Sequence, residues 1–270
     1  MATSIVTALG GSARNSAGYA DTVGTTVQVR GGDAVMAGLV LWDVDHTLIE
    51  NGGVSKETYA RAFELLTGQP AIYRAETDGR TDPQIMVNLL RGHGIEPSPD
   101  QRARLGEALE TAMTLNRTRL SERGHALPGA LDVITALAGV PGVVQSVLTG
   151  NIKPNAMVKV SVFGLHDRLD FEVGGYGADG RVRADLVAVA QQRAARKYGH
   201  SFCRSSTVLI GDTPRDVAAG VDGGAAVIGV ATGSDSMDVL AAAGADVVFS
   251  DLTDTSALVA AVTKLTGLSR

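Results

Sequence analysis

Five short apolar runs, each set off from the next by helix-like sequence, constrain the fold of this chain more than any other feature. They are Leu39–Val44, Val143–Leu148, Thr207–Ile210, Ala225–Ala231 and Asp246–Phe249. Continuous apolarity, rather than alternation, is what a strand covered on both faces requires. Helix signals stand between the runs. Thr213-Pro214 offers an N-cap followed by proline at the first helical position, and Pro128 suits a first turn. Ala184 to Gly199 spaces Leu186, Val187, Val189, Ala190 and Ala194 as an amphipathic helix closed by glycine. Strands alternating with helices imply right-handed crossovers. The expected class is α/β, a Rossmann-like parallel sheet with helices on both faces.

Residues 50–126 break the alternation. Ser55 caps a helix over Lys56–Leu66, Asp82-Pro83 opens one to Arg91, and Ser98-Pro99 opens a longer one to Arg123. Gly68, Gly92-His93-Gly94 and Gly124 punctuate their ends. Loops at the carboxyl ends of parallel strands bind ligands, so a helical insert after the first strand is expected to form a lid. The expected organisation is an α/β core of residues 37–49 and 127–270, a helical cap of residues 50–126, and a poorly ordered extension of residues 1–36. That extension has neither the basic start nor the apolar middle of a secretory signal. Its alternating stretch Thr22–Val29 leaves an added edge strand or a partner-binding arm as the other reading.

Composition narrows the partners. Hydrophobic residues are 44% and charged residues 20%, enough apolar material to offset the entropy of ordering. Aromatics are only 4%, so aliphatic side chains must fill the core. Lys plus Arg is 24 against 29 acids, a net charge of −5 that disfavours a nucleic acid partner. The lone cysteine, Cys203, excludes an intrachain disulfide and a multi-cysteine metal site. No apolar run approaches the roughly 18 residues of a membrane span. A cytoplasmic protein acting on a small molecule, as a monomer or homodimer, is expected, with no nucleic acid and no membrane partner.

The strand ends carry the chemistry. The first run closes in Asp43-Val44-Asp45-His46-Thr47, where alternation sets Asp43 and Asp45 on one side as the chain leaves the sheet. The third is followed by Gly211-Asp212-Thr213-Pro214-Arg215-Asp216, whose second acid lies about one helical turn beyond the first. The second ends in Leu148-Thr149-Gly150-Asn151, a hydroxyl and free backbone N–H groups at the same edge. Acids converging in one crevice repel and need a cation, protonation or solvent between them. Oxygen ligands without a His or Cys cluster suit Mg²⁺, which also draws a phosphate into an acidic pocket.

As an ordered set, Asp43-x-Asp45-x-Thr47, Thr149 and Gly211-Asp212-x-x-x-Asp216 resemble the haloacid dehalogenase superfamily of hydrolases, over roughly Leu39 to the C-terminus. The insert between the first two motifs is similar to the cap of the phosphoglycolate-phosphatase-like branch. The resemblance implies that Asp43 attacks phosphorus to form an aspartyl-phosphate, and that Asp45 protonates the leaving oxygen and then activates water. It implies Mg²⁺ held by Asp43, Asp212 and the carbonyl of Asp45, with Asp216 in support, and phosphoryl oxygens held by Thr149, Gly150 and Asn151. Asp45 separates this chain from relatives that displace halide from carbon, which have no oxygen leaving group to protonate. Its pKa is expected to be raised by surrounding negative charge. The implied function is Mg²⁺-dependent hydrolysis of a small phosphate monoester. A phosphotransferase or mutase using the same intermediate, and a catalytically idle binding relative, are the alternatives.

Four positions depart from the pattern or extend it. The family's third cation matches Arg183 best, with Lys153 as competitor. His46 stands where the family most often has Gly, and either touches substrate or cap or is a tolerated loop residue. Arg80, in Asp78-Gly79-Arg80-Thr81-Asp82, either recognises an acidic part of the substrate or is an exposed arginine.

Overall fold

The computed structural model describes residues 37–77 and 80–268. The extension of residues 1–36, with Thr22–Val29, and the pair Asp78-Gly79 lie outside the described residues. The strands are β1 (Gly38–Trp42), β2 (Ile49–Glu50), β3 (His125–Ala126), β4 (Val143–Thr149), β5 (Gly175–Tyr176), β6 (Thr207–Gly211), β7 (Ala226–Val230) and β8 (Val247–Phe249). The helices are α1 (Val54–Thr67), α2 (Asp82–Gly92), α3 (Pro99–Arg123), α4 (Ala130–Ala138), α5 (Lys153–Val162), α6 (Arg183–Tyr198), α7 (Pro214–Gly223), α8 (Met237–Ala242) and α9 (Thr255–Leu265).

Six strands form one parallel sheet in the order β5-β4-β1-β6-β7-β8. β1 is central, and its side chains divide between two cores as strand alternation requires. Val40 and Trp42 face α4, α5 and α9 through Ile134, Val160 and Val262. Leu39 and Leu41 face α6 and α7 through Leu186, Ala190 and Ala219. All five residues of β1 are fully buried, the burial that the continuous apolar run implied.

Trp42 sits in this core without exposure, and its indole N–H donates to Gln145 Oε1 at 3.1 Å. Gln145 in turn donates to the Ile134 carbonyl at 2.9 Å, so the buried polar chain is satisfied. Trp42→Ala is expected to cost about 3–5 kcal/mol through lost burial and a residual cavity. A denaturant titration followed by circular dichroism checks this, since the variant has no tryptophan left to report on.

Between the two-residue antiparallel partners β2 and β3 lie α1, α2 and α3. They share an apolar cluster of Phe63, Met86, Leu90 and Leu109, joined by Ile152 from the start of α5. Local capping differs from expectation at two places. Gly53, not Ser55, is the N-cap of α1, with φ 78, and Ser55 lies inside the helix, where its hydroxyl points toward Asp45 Oδ1 at 3.4 Å. Gly129, with φ 83, caps α4, so Pro128 precedes the helix rather than occupying its first turn. Glycine takes the left-handed cap without the Cβ penalty that Ser would meet. The Ser98 cap of α3 and the Thr213-Pro214 start of α7 form as the sequence indicates.

Candidate active site

The carboxyl ends of β1, β4 and β6 meet at a cavity of about 940 Å³, which residues of α1 and of the segment leading into α2 also line. Asp43 follows β1 directly, and its backbone N–H donates to the Ile210 carbonyl at 2.9 Å, tying this strand end to β6. Asp212 follows β6. Thr47 donates to Asp212 Oδ1 at 3.0 Å, and a Cβ at Gly233 would lie 2.0 Å from Asp212 Oδ2, so the carboxylate is confined from both sides.

Asp216 lies in the first turn of α7 and closes a capping box with Thr213, whose N–H and hydroxyl donate to Oδ2 at 3.1 and 2.6 Å. Its Oδ1 accepts no aligned hydrogen bond and faces Arg183 Nη2 at 2.5 Å.

Asp43, Asp212 and Asp216 are all buried, and each offers one oxygen within 4.8 Å of the others. Burial, opposed by Arg183 and reinforced by Asp216 and Asp212, pushes the Asp43 carboxyl well above the usual range. Burial and the charge of Asp216 raise Asp212 to about 7. Three crowded, buried carboxylates and an all-oxygen donor set fit a hard divalent cation.

Arg183 opens α6 and is the cation that reaches Asp43. Its Nη2 donates to Asp43 Oδ1 at 2.6 Å. Burial opposes its charge, yet Asp216 and Asp43 outweigh that and raise its pKa. Arg183 Nε is buried without a partner. Lys153, the competitor, opens α5 on the surface and pairs with Glu172, outside the cavity lining. Its side chain leaves the helix on the solvent side, so proximity in sequence to Thr149 does not bring it to the strand ends.

Asp45 differs from expectation in electrostatics. Burial alone would raise its pKa, but the Lys159 ammonium and hydrogen bonds from Asn151 and Lys159 hold it at about 2. The expected rise from neighbouring acids is overturned because a cation stands closer than they do. Lys159 is buried on α5, with Nζ 2.8 and 2.7 Å from the two Asp45 oxygens. Asn51 donates to Asp45 Oδ1 at 2.8 Å and Asn151 to Oδ2 at 2.8 Å. Sequence reasoning passed over Lys159. Its signal was a lysine three residues after Ala156 and next to Val160, on the inward stripe of an α5 otherwise read only for Lys153.

Thr149 and Gly150 line the cavity at the end of β4, and Asn151 joins them. A Cβ at Gly150 would lie 2.6 Å from the Arg80 carbonyl, so this glycine permits a close approach of two backbones. Arg80 lines the cavity, and its guanidinium donates to Glu76 Oε2 at 3.2 Å.

His46 also lines the cavity. Its φ of 63° is the left-handed conformation that favours glycine, which gives the departure from the family's usual Gly a backbone setting. Its carbonyl accepts from Thr232 at 2.6 Å and its ring approaches Glu50 at 2.9 Å.

Asp82 is a second residue that sequence reasoning missed as part of the site. Its N–H donates to the Gly150 carbonyl at 2.7 Å, and its carboxylate accepts from Ile152 N–H at 2.9 Å and Tyr59 Oη at 2.7 Å. One buried acid thus joins α1 and α2 to the loop after β4. A helix-opening Asp gives no sign in sequence that it will cap a different helix as well.

Residues 183–255 match the HAD-hydrolase-like family model, a segment that includes Arg183, Asp212 and Asp216. No curated protein matches the chain. Among solved structures, a hydrolase from Pseudomonas syringae is similar at 21% identity and TM-score 0.57, covering 82% of this chain and 96% of that one. CbbY from Rhodobacter sphaeroides in complex with phosphate is similar at 17% identity and TM-score 0.61, covering 81% and 96%. A predicted phosphoglycolate phosphatase from Haemophilus somnus is similar at 17% identity and TM-score 0.57, covering 84% and 99%. Residues 183–255 thus match a HAD-hydrolase-like family model, and the chain as a whole has the fold of these solved structures.

Proposed function

We propose that this chain is a Mg²⁺-dependent, cytoplasmic phosphatase that hydrolyses a small-molecule phosphate monoester through an aspartyl-phosphate on Asp43, with residues 50–126 as the cap over the site. The observation that carries this is one cavity lined by Asp43, Asp45, Thr149 and Arg183 together with Asp212 and Asp216, which cluster with Asp43. That CbbY binds phosphate, and in another structure xylulose-(1,5)bisphosphate, at a like fold accords with it.

Asp43, Asp212 and the Asp45 carbonyl would hold Mg²⁺, with Asp216 in support. Bound there, the cation supplies charge that keeps Asp43 ionised and offsets its repulsion from phosphate. Asp43 Oδ attacks phosphorus in line with the leaving oxygen. Thr149 and the N–H groups of the loop after β4 orient the phosphoryl oxygens, and Arg183 offsets their charge. Asp45 delivers a proton to the leaving oxygen and removes one from the water that cleaves the aspartyl-phosphate. The ionised form held by Lys159 is the one the second half-reaction needs. The first half requires Asp45 to acquire a proton, which the dianionic charge of an arriving phosphate favours.

Chelation tests the cation requirement directly. EDTA is expected to abolish phosphate release from a panel of phosphate monoesters, and excess Mg²⁺ to restore it. Mg²⁺ at 100 times its dissociation constant is expected to stabilise the fold by about 2.7 kcal/mol, read as a higher melting temperature. Asp212→Asn is expected to remove that shift. Turnover that survives chelation, or a Mg²⁺ shift that survives Asp212→Asn, overturns the cation assignment.

A further inference from the structure

One buried cation enters the chemistry described above only by holding Asp45 ionised, yet it reaches a further residue of the site. Lys159 Nζ has three protons and meets three acceptors: Asp45 Oδ1 at 2.8 Å, Asp45 Oδ2 at 2.7 Å and Asn151 Oδ1 at 2.7 Å. A helical side chain leans toward the helix N-terminus, so Lys159 reaches back along α5 to the loop that precedes it. It does not line the cavity, and any effect it has on a ligand passes through the residues it holds.

The contact with Asn151 has a consequence for Thr149. An ammonium donates only, so the Asn151 oxygen must face it and the amide nitrogen must face the other way. That nitrogen donates to Asp45 Oδ2 at 2.8 Å and to Thr149 Oγ1 at 2.7 Å. Thr149 Oγ1 also accepts from the Asn151 backbone N–H at 3.3 Å. With both acceptor positions of Oγ1 taken, the hydroxyl proton is left to point away from them, and Thr149 lines the cavity. A flipped Asn151 would instead set its oxygen against the Asp45 carboxylate and offer Thr149 Oγ1 an acceptor, drawing the hydroxyl proton away from the cavity.

We propose that Lys159 is a positioning residue: it locks the Asn151 amide, and through it aims the Thr149 hydroxyl as a donor to a phosphoryl oxygen while fixing the Asp45 carboxylate. This rests on the phosphatase assignment, because it names the ligand atom that Thr149 meets. The geometry is a relay of donors with one allowed direction, Lys159 to Asn151 to Thr149 to ligand. Its origin is a charge that cannot accept a hydrogen bond.

The probe is inorganic phosphate, titrated calorimetrically in the presence of Mg²⁺ into wild type, Lys159→Met, Thr149→Val and the double variant. Met keeps the chain length and removes the donors. Lys159→Met is expected to weaken phosphate binding about tenfold, the scale of one hydrogen bond to an anion. In the Thr149→Val background the same substitution is expected to change phosphate affinity less than about twofold, because the relay has lost its last member. A merely structural role would lower affinity by the same factor in both backgrounds.

Removing Lys159 leaves Asp45 without its cation, so the comparison is repeated with Asp45→Asn, which removes both charges together. The tenfold loss is expected there too. Unchanged phosphate affinity in folded Lys159→Met, or equal losses with and without the Thr149 hydroxyl, overturns the proposal alone. A wild-type protein that binds no phosphate and hydrolyses no ester overturns the phosphatase assignment and this one together.

Discussion

Asp43→Asn is expected to lower phosphate release by roughly 10³-fold or more, the scale of removing an essential nucleophile. The amide keeps the shape of the carboxylate but cannot attack phosphorus. The fold should survive. Asp43 is buried beside two other acids, and burial already holds its carboxyl well above the usual range, so a neutral group is tolerated there. Arg183, which donates to Asp43, retains Asp216 as an ionic partner at 2.5 Å. The measurement is steady-state phosphate release beside a melting curve for the same preparation. A folded Asp43→Asn protein that turns over at the wild-type rate would falsify the aspartyl-phosphate mechanism.

Asp45→Asn should reveal its role through the leaving group. Proton transfer by a positioned side chain contributes about 10²–10⁴-fold, and most where the departing oxygen is strongly basic. The loss is therefore expected to approach that scale for alkyl phosphates and to be at least about tenfold smaller for nitrophenyl phosphate, whose oxygen leaves without help. Asn at this position can still accept from Asn51 and Lys159, the groups that hold Asp45 Oδ1 at 2.8 Å, so the loop geometry has a means of persisting. Equal losses on the two substrates count against the general-acid role and leave Asp45 as a positioning group. With nitrophenyl phosphate a slow second step, cleavage of the aspartyl-phosphate, is expected to accumulate phosphorylated enzyme. Quenching and intact-mass measurement detect it as one added phosphoryl group.

Much of the site was legible because its residues sit at strand ends. Once the apolar runs were read as strands of one parallel sheet, Asp43, Thr149 and Asp212 were expected at its carboxyl edge, and the order that makes β4 and β6 the neighbours of β1 came from the structure. Local order along the chain decides that much, since a strand carries its terminal residue to a known edge. Turn signals likewise gave α1, α2 and α3, whereas Arg183 came from the family resemblance, which left Lys153 as its competitor.

It failed where two-residue strands such as β5 give no periodic signal, and where a cap depends on backbone space, as at Gly53 and Gly129. His46 shows the same limit, because nothing in its neighbours announces a φ of 63°.

The sequence by itself determined the sheet, the helical insert and which acids share one edge, because periodicity and strand termini are properties of a local segment. Only the tertiary structure decided which charge meets which. Lys153 and Lys159 lie on one helix, yet one pairs with Glu172 on the surface and the other lies buried against Asp45. That choice turned the expected rise of the Asp45 pKa into a fall to about 2. Coulomb energy depends on distance in space, and the distance from residue 45 to residue 159 exists only after the helix has packed against the sheet.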